Sequence, residues 1–108
     1  HERVENVELI VIKKDGRREK FDREKLKRSI VRPTEKRPIS TELIDTLVTE
    51  IEQELRGKDS TEISSKTIGN LVLKKLKKID KVAYVRFASV YLDFADLTDF
   101  EKVIEKLT

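Results

Sequence analysis

The chain contains no cysteine, no methionine and no tryptophan, and its single histidine is His1. Without cysteine there is neither a disulfide nor a thiolate metal site. A histidine-based metal centre or a Ser–His nucleophile pair has nothing to be built from. The longest purely apolar run, Leu9 to Ile12, falls far short of the roughly 20 residues that a membrane-spanning helix needs. No basic segment followed by an apolar stretch opens the chain, so no secretory signal is read. These absences predict a soluble, cytoplasmic protein with no catalytic residues and no metal site. Also missing are a Gly-rich Walker-type loop, a Gly-x-Gly-x-x-Gly run and an acidic cluster for magnesium. If a nucleotide binds at all, these absences predict that it is read and not hydrolysed.

What is present is charge. Of 108 residues, 42% are charged and 37% hydrophobic, which suits one helical domain with a modest core. The 24 basic and 21 acidic residues leave a formal charge of only +3, too small for whole-surface attraction to nucleic acid. The placement of the cations has to carry any argument.

Residues 8–21 read as a β-hairpin. Leu9-Ile10-Val11-Ile12 favours a strand, and Asp15-Gly16 is the preferred two-residue turn. That turn predicts Lys14 opposite Arg17, Lys13 opposite Arg18, Ile12 opposite Glu19 and Ile10 opposite Phe21. Ile10 and Phe21 would then share the core face with Ile12 and Glu19.

Four helix starts follow one device, a polar cap flanked by a hydrophobic staple. Asp22 lies between Phe21 and Leu26, Ser40 between Ile39 and Ile44, Ser64 between Ile63 and Ile68, and Asp80 between Ile79 and Tyr84. Apolar stripes at helical spacing continue from each later start. They are Leu43, Leu47, Val48, Ile51 and Leu55, then Ile68, Leu71, Val72, Leu76 and Ile79, then Ala83, Phe87, Val90, Tyr91 and Phe94. Gly57 supplies a helix stop, Pro33 and Pro38 bracket the loop after the first helix, and Thr98 with Glu101 predicts a capping box for a last helix. The expected fold is α+β and mainly α, a β-hairpin lid over a bundle of four or five helices. Residues 1–8 read as a linker or the end of a missing N-terminal domain, 9–99 as the domain proper, and 100–108 as the end of the last helix.

The hairpin as predicted has an electrostatic problem. Like charges face each other on both rungs beside the turn, which is unfavourable in a bare ribbon, and Lys25 adds a cation in a first helical turn, where the macrodipole prefers an anion. A polyanion bound there would remove both faults; long side chains splayed into water would also relieve them. Glu19, turned towards apolar surroundings, needs a partner such as a ribose hydroxyl or a nearby lysine. A second basic group, Lys74, Lys75, Lys77, Lys78 and Lys81, complements the dipole at the end of the third helix or offers a phosphate-backbone contact. Tyr84, Phe87, Tyr91 and Phe94 at helical spacing fit a core face or the wall of a base pocket.

The run Val11-Ile12-Lys13-Lys14-Asp15-Gly16-Arg17-Arg18-Glu19-Lys20-Phe21-Asp22-Arg23-Glu24-Lys25-Leu26 resembles the opening of the ATP-cone, an allosteric module also found on ribonucleotide reductases. Asp80-Lys81-Val82-Ala83-Tyr84-Val85-Arg86-Phe87-Ala88-Ser89-Val90-Tyr91 and Glu35-Lys36-Arg37-Pro38-Ile39-Ser40 resemble the form found in NrdR-type transcriptional repressors of ribonucleotide reductase genes. The resemblance implies ATP or dATP as bound effector and nucleotide-dependent homo-oligomers. It places Val11 and Ile12 at the base, Lys13, Lys14 and Lys25 at the phosphates, and Glu19 and Asp22 near the sugar. Ser65 and Lys66 would close the far side, with Tyr91 as a further pocket residue. In that family a four-cysteine zinc ribbon precedes the cone and reads DNA. With no cysteine here, zinc and direct DNA reading are expected only of such a ribbon, whether this chain is a fragment or a naturally ribbon-less protein. The alternatives are an allosteric cone of a reductase itself and a small basic nucleic-acid-binding helical domain.

Overall fold

The computed structural model describes residues 8–92 and 96–107. Residues 1–8 of the expected linker are thus described only at Glu8, and Phe94 of the expected aromatic stripe lies outside the described residues. Strands β1 (Ile10–Ile12) and β2 (Arg18–Lys20) form the hairpin. Helices α1 (Arg23–Val31) and α2 (Thr41–Arg56) follow, separated by one 3-10 turn at Arg32–Thr34. Strand β3 (Glu62–Ser64) then leads directly into α3 (Ser65–Ile79), α4 (Lys81–Tyr91) and α5 (Leu97–Glu105). The expected mainly helical α+β fold is present, with the sheet larger by one strand.

That extra strand makes β1 central. It pairs antiparallel with β2 and parallel with β3. A parallel partner needs a long crossover, supplied here by α1 and α2. Nothing in Glu62-Ile63-Ser64, with one apolar residue, announces it locally.

The hairpin register differs from the expectation by one residue. Lys13 N–H donates to the Arg17 carbonyl at 2.7 Å and Gly16 N–H to the Lys13 carbonyl at 2.9 Å, so the loop is Lys14-Asp15-Gly16. Such a three-residue loop needs its last residue in the left-handed region, and Gly16 has φ +91°. Asp15 fixes the loop by accepting from the Arg17 backbone and side chain at 3.1 and 2.8 Å. Ile10 therefore faces Lys20, Val11 faces Glu19 and Ile12 faces Arg18. A slip of one exchanges the two faces of a strand. Leu9 and Val11 are the buried residues, and Ile10 and Ile12 are half-buried.

Each expected cap at Asp22, Ser40, Ser64 and Asp80 is made, its side chain accepting from backbone N–H groups of the first turn. The start of α5 lies two residues earlier than expected, at Asp96, whose carboxylate accepts from the Thr98 and Asp99 N–H groups. Gly57 does end α2, in right-handed backbone at φ −80°. The core is centred on Ile30, Val48, Ile51, Leu55, Val72 and Leu76, and burial of each large aliphatic side chain contributes about 1.5–3 kcal/mol. Leu43 and Val90 leave their expected stripes. Ile44 takes the buried place in α2, and α4 turns Ala83, Tyr84 and Ala88 inward while Val90 stands 81% exposed.

Two local devices hold the helices that frame the cleft described below. Asp80 caps α4 and also accepts from Arg37 Nε at 2.9 and 3.1 Å, tying the loop before α2 to the α3–α4 corner. Burial alone would raise the Asp80 pKa, but the Ala83 N–H and the Arg37 guanidinium more than offset that, and it lies below the ordinary value. At Gly69 on α3, the Tyr91 ring from α4 lies where a methyl group would stand. The ring is held there by its hydroxyl, which donates to the Lys66 carbonyl at 2.9 Å, and by a stack on Phe87 with centroids 5.7 Å apart.

Two predictions follow from these contacts. Asp80→Asn keeps a capping oxygen and loses the ion pair, so urea unfolding at pH 7 should show a loss of about 1–3 kcal/mol. Because the folded-state pKa is depressed, this contribution is present above the unfolded-state value and is lost as pH falls through the folded value. The gap between wild type and variant should therefore close below about pH 4. Gly69→Ala should lower thermal stability in the wild type yet raise it by about 1 kcal/mol in a Tyr91→Ala background, where helix propensity alone acts. Equal effects in both backgrounds would show that Tyr91 is not seated on Gly69.

Candidate functional site

A cleft of about 750 Å³ opens between the hairpin loop, the start of α3 and the end of α4, within the size range of small-molecule sites. Its two walls differ in character. One is apolar, with Ile12, Leu26, Ile68, Phe87 and Tyr91; the other is polar and basic, with Lys13, Lys14, Arg17, Ser65 and Lys66.

The basic wall follows from topology. β3 runs straight into α3, so the helix starts at the sheet edge beside the hairpin loop. Ser64 caps it by accepting from the Thr67 N–H at 3.1 Å. The first-turn amides of Ser65 and Lys66 have no intrahelical acceptor, and α3 has no acid in its first turn. The positive end of the helix dipole is left without a negative side chain, a standing preference for an anion.

The expected crowding of cations is largely answered within the chain. Arg18 pairs with Glu62 across the sheet, Arg17 with Asp15 at 2.8 Å, and Lys25 with Glu19 at 2.7 Å. Lys13 lies 3.9 Å from the same Glu19 carboxylate. The Lys25 hydrogen bond, with Lys13 and Arg17 close by, holds the Glu19 carboxyl below the usual range against the opposing effect of burial. The expected opposed rungs, Lys13 with Arg18 and Lys14 with Arg17, are absent because of the register. One like-charged rung remains, Lys13 opposite Arg17. Lys14 and Lys66 form no ion pair among the described residues.

Of the residues singled out by sequence, Ile12, Lys13, Lys14, Ser65, Lys66 and Tyr91 come together on the cleft. Val11 is buried and does not line the cleft. Glu19 and Lys25 stand beside it as a pair, and Asp22 is occupied as the α1 cap, accepting from the Glu24 and Lys25 N–H groups. The cleft also takes in Leu26, Ser29, Ile68, Gly69, Asn70 and Phe87. Gly69 carried a legible signal, because a glycine inside a helix costs about 1 kcal/mol and asks for a packing reason. Ser29 and Asn70 carried none. Burial raises the Tyr91 hydroxyl pKa, so it stays a neutral donor. Among the described residues no group of three or more acids or histidines could hold a metal, and no helix is long and apolar enough to cross a membrane.

The family described as ATP cone domain matches residues 9–97. Over 108 residues the chain is 46% identical to the transcriptional repressor NrdR of Streptococcus pneumoniae strain Hungary19A-6, and equally to that of strain JJA. Each match covers 100% of this chain and 69% of the relative. These relatives are named as regulators rather than enzymes. The chain belongs to the ATP-cone family, in the form carried by NrdR transcriptional repressors.

Proposed function

We propose that the cleft binds ATP or dATP, and that the bound nucleotide shifts the equilibrium between homo-oligomers of a repressor of ribonucleotide reductase genes. The observation that supports this reading is the meeting of an apolar, aromatic wall with the hairpin lysines and an acid-free helix start in one cleft. An adenine ring lies against Ile12, Ile68, Phe87 and Tyr91, with Val11 buried next to Ile12 on β1. The triphosphate lies against Lys13, Lys14 and Lys66, with the Ser65 hydroxyl and the first amides of α3 as neutral donors. Lys25 and Glu19 act one step back. Their ion pair sets where the Lys13 ammonium stands, and a phosphate would compete with Glu19 for both lysines. Asp22 contributes by fixing the start of α1. Telling ATP from dATP rests on one ribose hydroxyl, for which Glu19, Ser29 and Asn70 are three of the polar groups at or beside the cleft. Coupling to assembly requires that each nucleotide prefer a different oligomer. Identity to repressors along the whole chain favours this reading over an allosteric cone of a reductase.

Calorimetric titration with ATP and with dATP should show saturable binding to the purified chain. Lys13→Ala with Lys14→Ala should weaken both by at least about tenfold, since two charge-assisted phosphate contacts are lost. Light scattering after gel filtration should show a different mass with each nucleotide. Heats unchanged by the double substitution would end the phosphate assignment, and equal masses would end the oligomer switch.

A further inference from the structure

The basic group at the far end of α3 is not used by the nucleotide site, and the structure gives it an unexpected extent. From Ile63 to Leu92 the only acid is Asp80, and it is buried and bound to Arg37. Across the same stretch there are seven cations. Lys75 is held by Glu50 and Glu54 of α2 at 3.3 and 2.7 Å, and Arg86 donates to the Pro33 and Glu35 carbonyls. The other five, Lys66, Lys74, Lys77, Lys78 and Lys81, are exposed and form no ion pair among the described residues.

Their positions share one broad face. At 100° per residue, Lys74 and Lys78 point away from the buried Val72 and Leu76, and Lys77 and Lys66 stand on one flank of that solvent side, with Lys66 at the cleft. Lys81 prolongs the row at the start of α4. From Lys66 to Lys78 the helix rises about 18 Å, at 1.5 Å per residue. A track of like charge that long, whose one nearby counter-charge is Glu54 beside Lys74 and already bound to Lys75, carries a cost from mutual repulsion that a polyanion would remove. A helix C-terminal dipole explains Lys77 and Lys78 but not Lys66 or Lys74, because the dipole acts only over the last turn.

We infer that this lysine track on α3 contacts the phosphate backbone of duplex DNA, as a sequence-independent surface separate from any base-reading domain. Two observations choose DNA over an acidic protein. Protein interfaces are built round apolar anchors and are poor in lysine, and none of the exposed large hydrophobic residues of the described chain lies on α3. An 18 Å row of flexible cations also spans roughly five phosphates of one strand, at 3.4 Å of helix axis each. Relatives of this chain are transcriptional repressors, so DNA is a partner of the right kind.

The test is fluorescence anisotropy of a labelled 20-base-pair duplex of mixed sequence, titrated with the purified chain between about 20 and 200 mM KCl. With four or five lysines engaged, the logarithm of affinity should fall against the logarithm of salt with a slope of about −4. Combining Lys74→Gln, Lys77→Gln and Lys78→Gln should cut that slope to about −1 and lower affinity more than tenfold at 50 mM KCl. These positions are exposed and glutamine is a good helix former, and circular dichroism checks that the fold is kept. The control removes the same net charge elsewhere, with Lys20→Gln, Lys58→Gln and Lys102→Gln, and should leave the slope near −4. The inference is overturned by no anisotropy change at 20 mM KCl, or by equal losses from the two triple variants. It is also overturned if polyglutamate of matched charge displaces the chain better than unlabelled duplex does.

Discussion

The structure depends on the register of its hairpin, and the register depends on Gly16. The loop Lys14-Asp15-Gly16 closes only because one residue can sit at φ +91°, and the Asp15 carboxylate locks it by holding Arg17. From that one turn follows which residues of β1 look inward. Leu9 and Val11 go into the core, Glu19 comes opposite Val11, and Lys13 and Lys25 reach the same carboxylate. A two-residue turn at the same place would turn Ile10 and Ile12 inward instead, exposing Val11 and moving Glu19 away from its lysines.

β1 also places the start of α3. Because β3 runs parallel beside β1 and continues into the helix without a break, the free amides of α3 arrive at the hairpin loop. The other boundary is α4, brought in by the missing side chain at Gly69 and the Tyr91 hydroxyl on the Lys66 carbonyl. The cleft is thus made by elements far apart in sequence, joined by one sheet edge and one close helix contact. Its rigidity is uneven. The α3 side is fixed by the core residues Val72 and Leu76, whereas Tyr91 is held by one hydrogen bond and one ring stack, both weak enough for an incoming ring to exchange.

How much of this could be read from the chain alone follows the range of each interaction. The caps at Asp22, Ser40, Ser64 and Asp80 were legible because a side chain there bonds a backbone N–H two or three residues on. The α5 start was misplaced because Asp96 and Thr98 both suit a cap, and nothing local chooses between them. β3 was hidden because its pairing with β1 spans about fifty residues and its own three residues, although they alternate exposed and buried, are too few to establish a strand period. The turn was misread because Asp-Gly serves both two- and three-residue loops. The ion pairs were out of reach. Sequence shows that Lys13, Arg17, Arg18 and Lys25 are crowded, but not that Asp15, Glu19 and Glu62 stand ready to answer them. Six of the ten candidate site residues line the cleft even so, because β1 and the α3 start carry short consecutive groups whose placement survives a one-residue slip.

The distribution of charge on this chain now has a physical reading that its total does not. With 42% of residues charged and a net of only +3, pairing could have been uniform, and over α1 and α2 it nearly is. Arg23 meets Glu52, Lys27 meets Asp45, and Glu50 and Glu54 reach out to Lys75. Exposed pairs of this kind contribute little to stability, so their effect is to cancel the field over one side of the molecule. The acid-free stretch through α3 leaves the other side uncancelled. Lys66 belongs to both its features, standing at the rim of the cleft and at the head of the lysine track. A triphosphate held there would lower the positive potential at one end of that track, which makes the first turn of α3 the place where the two anionic ligands of such a domain would sense each other.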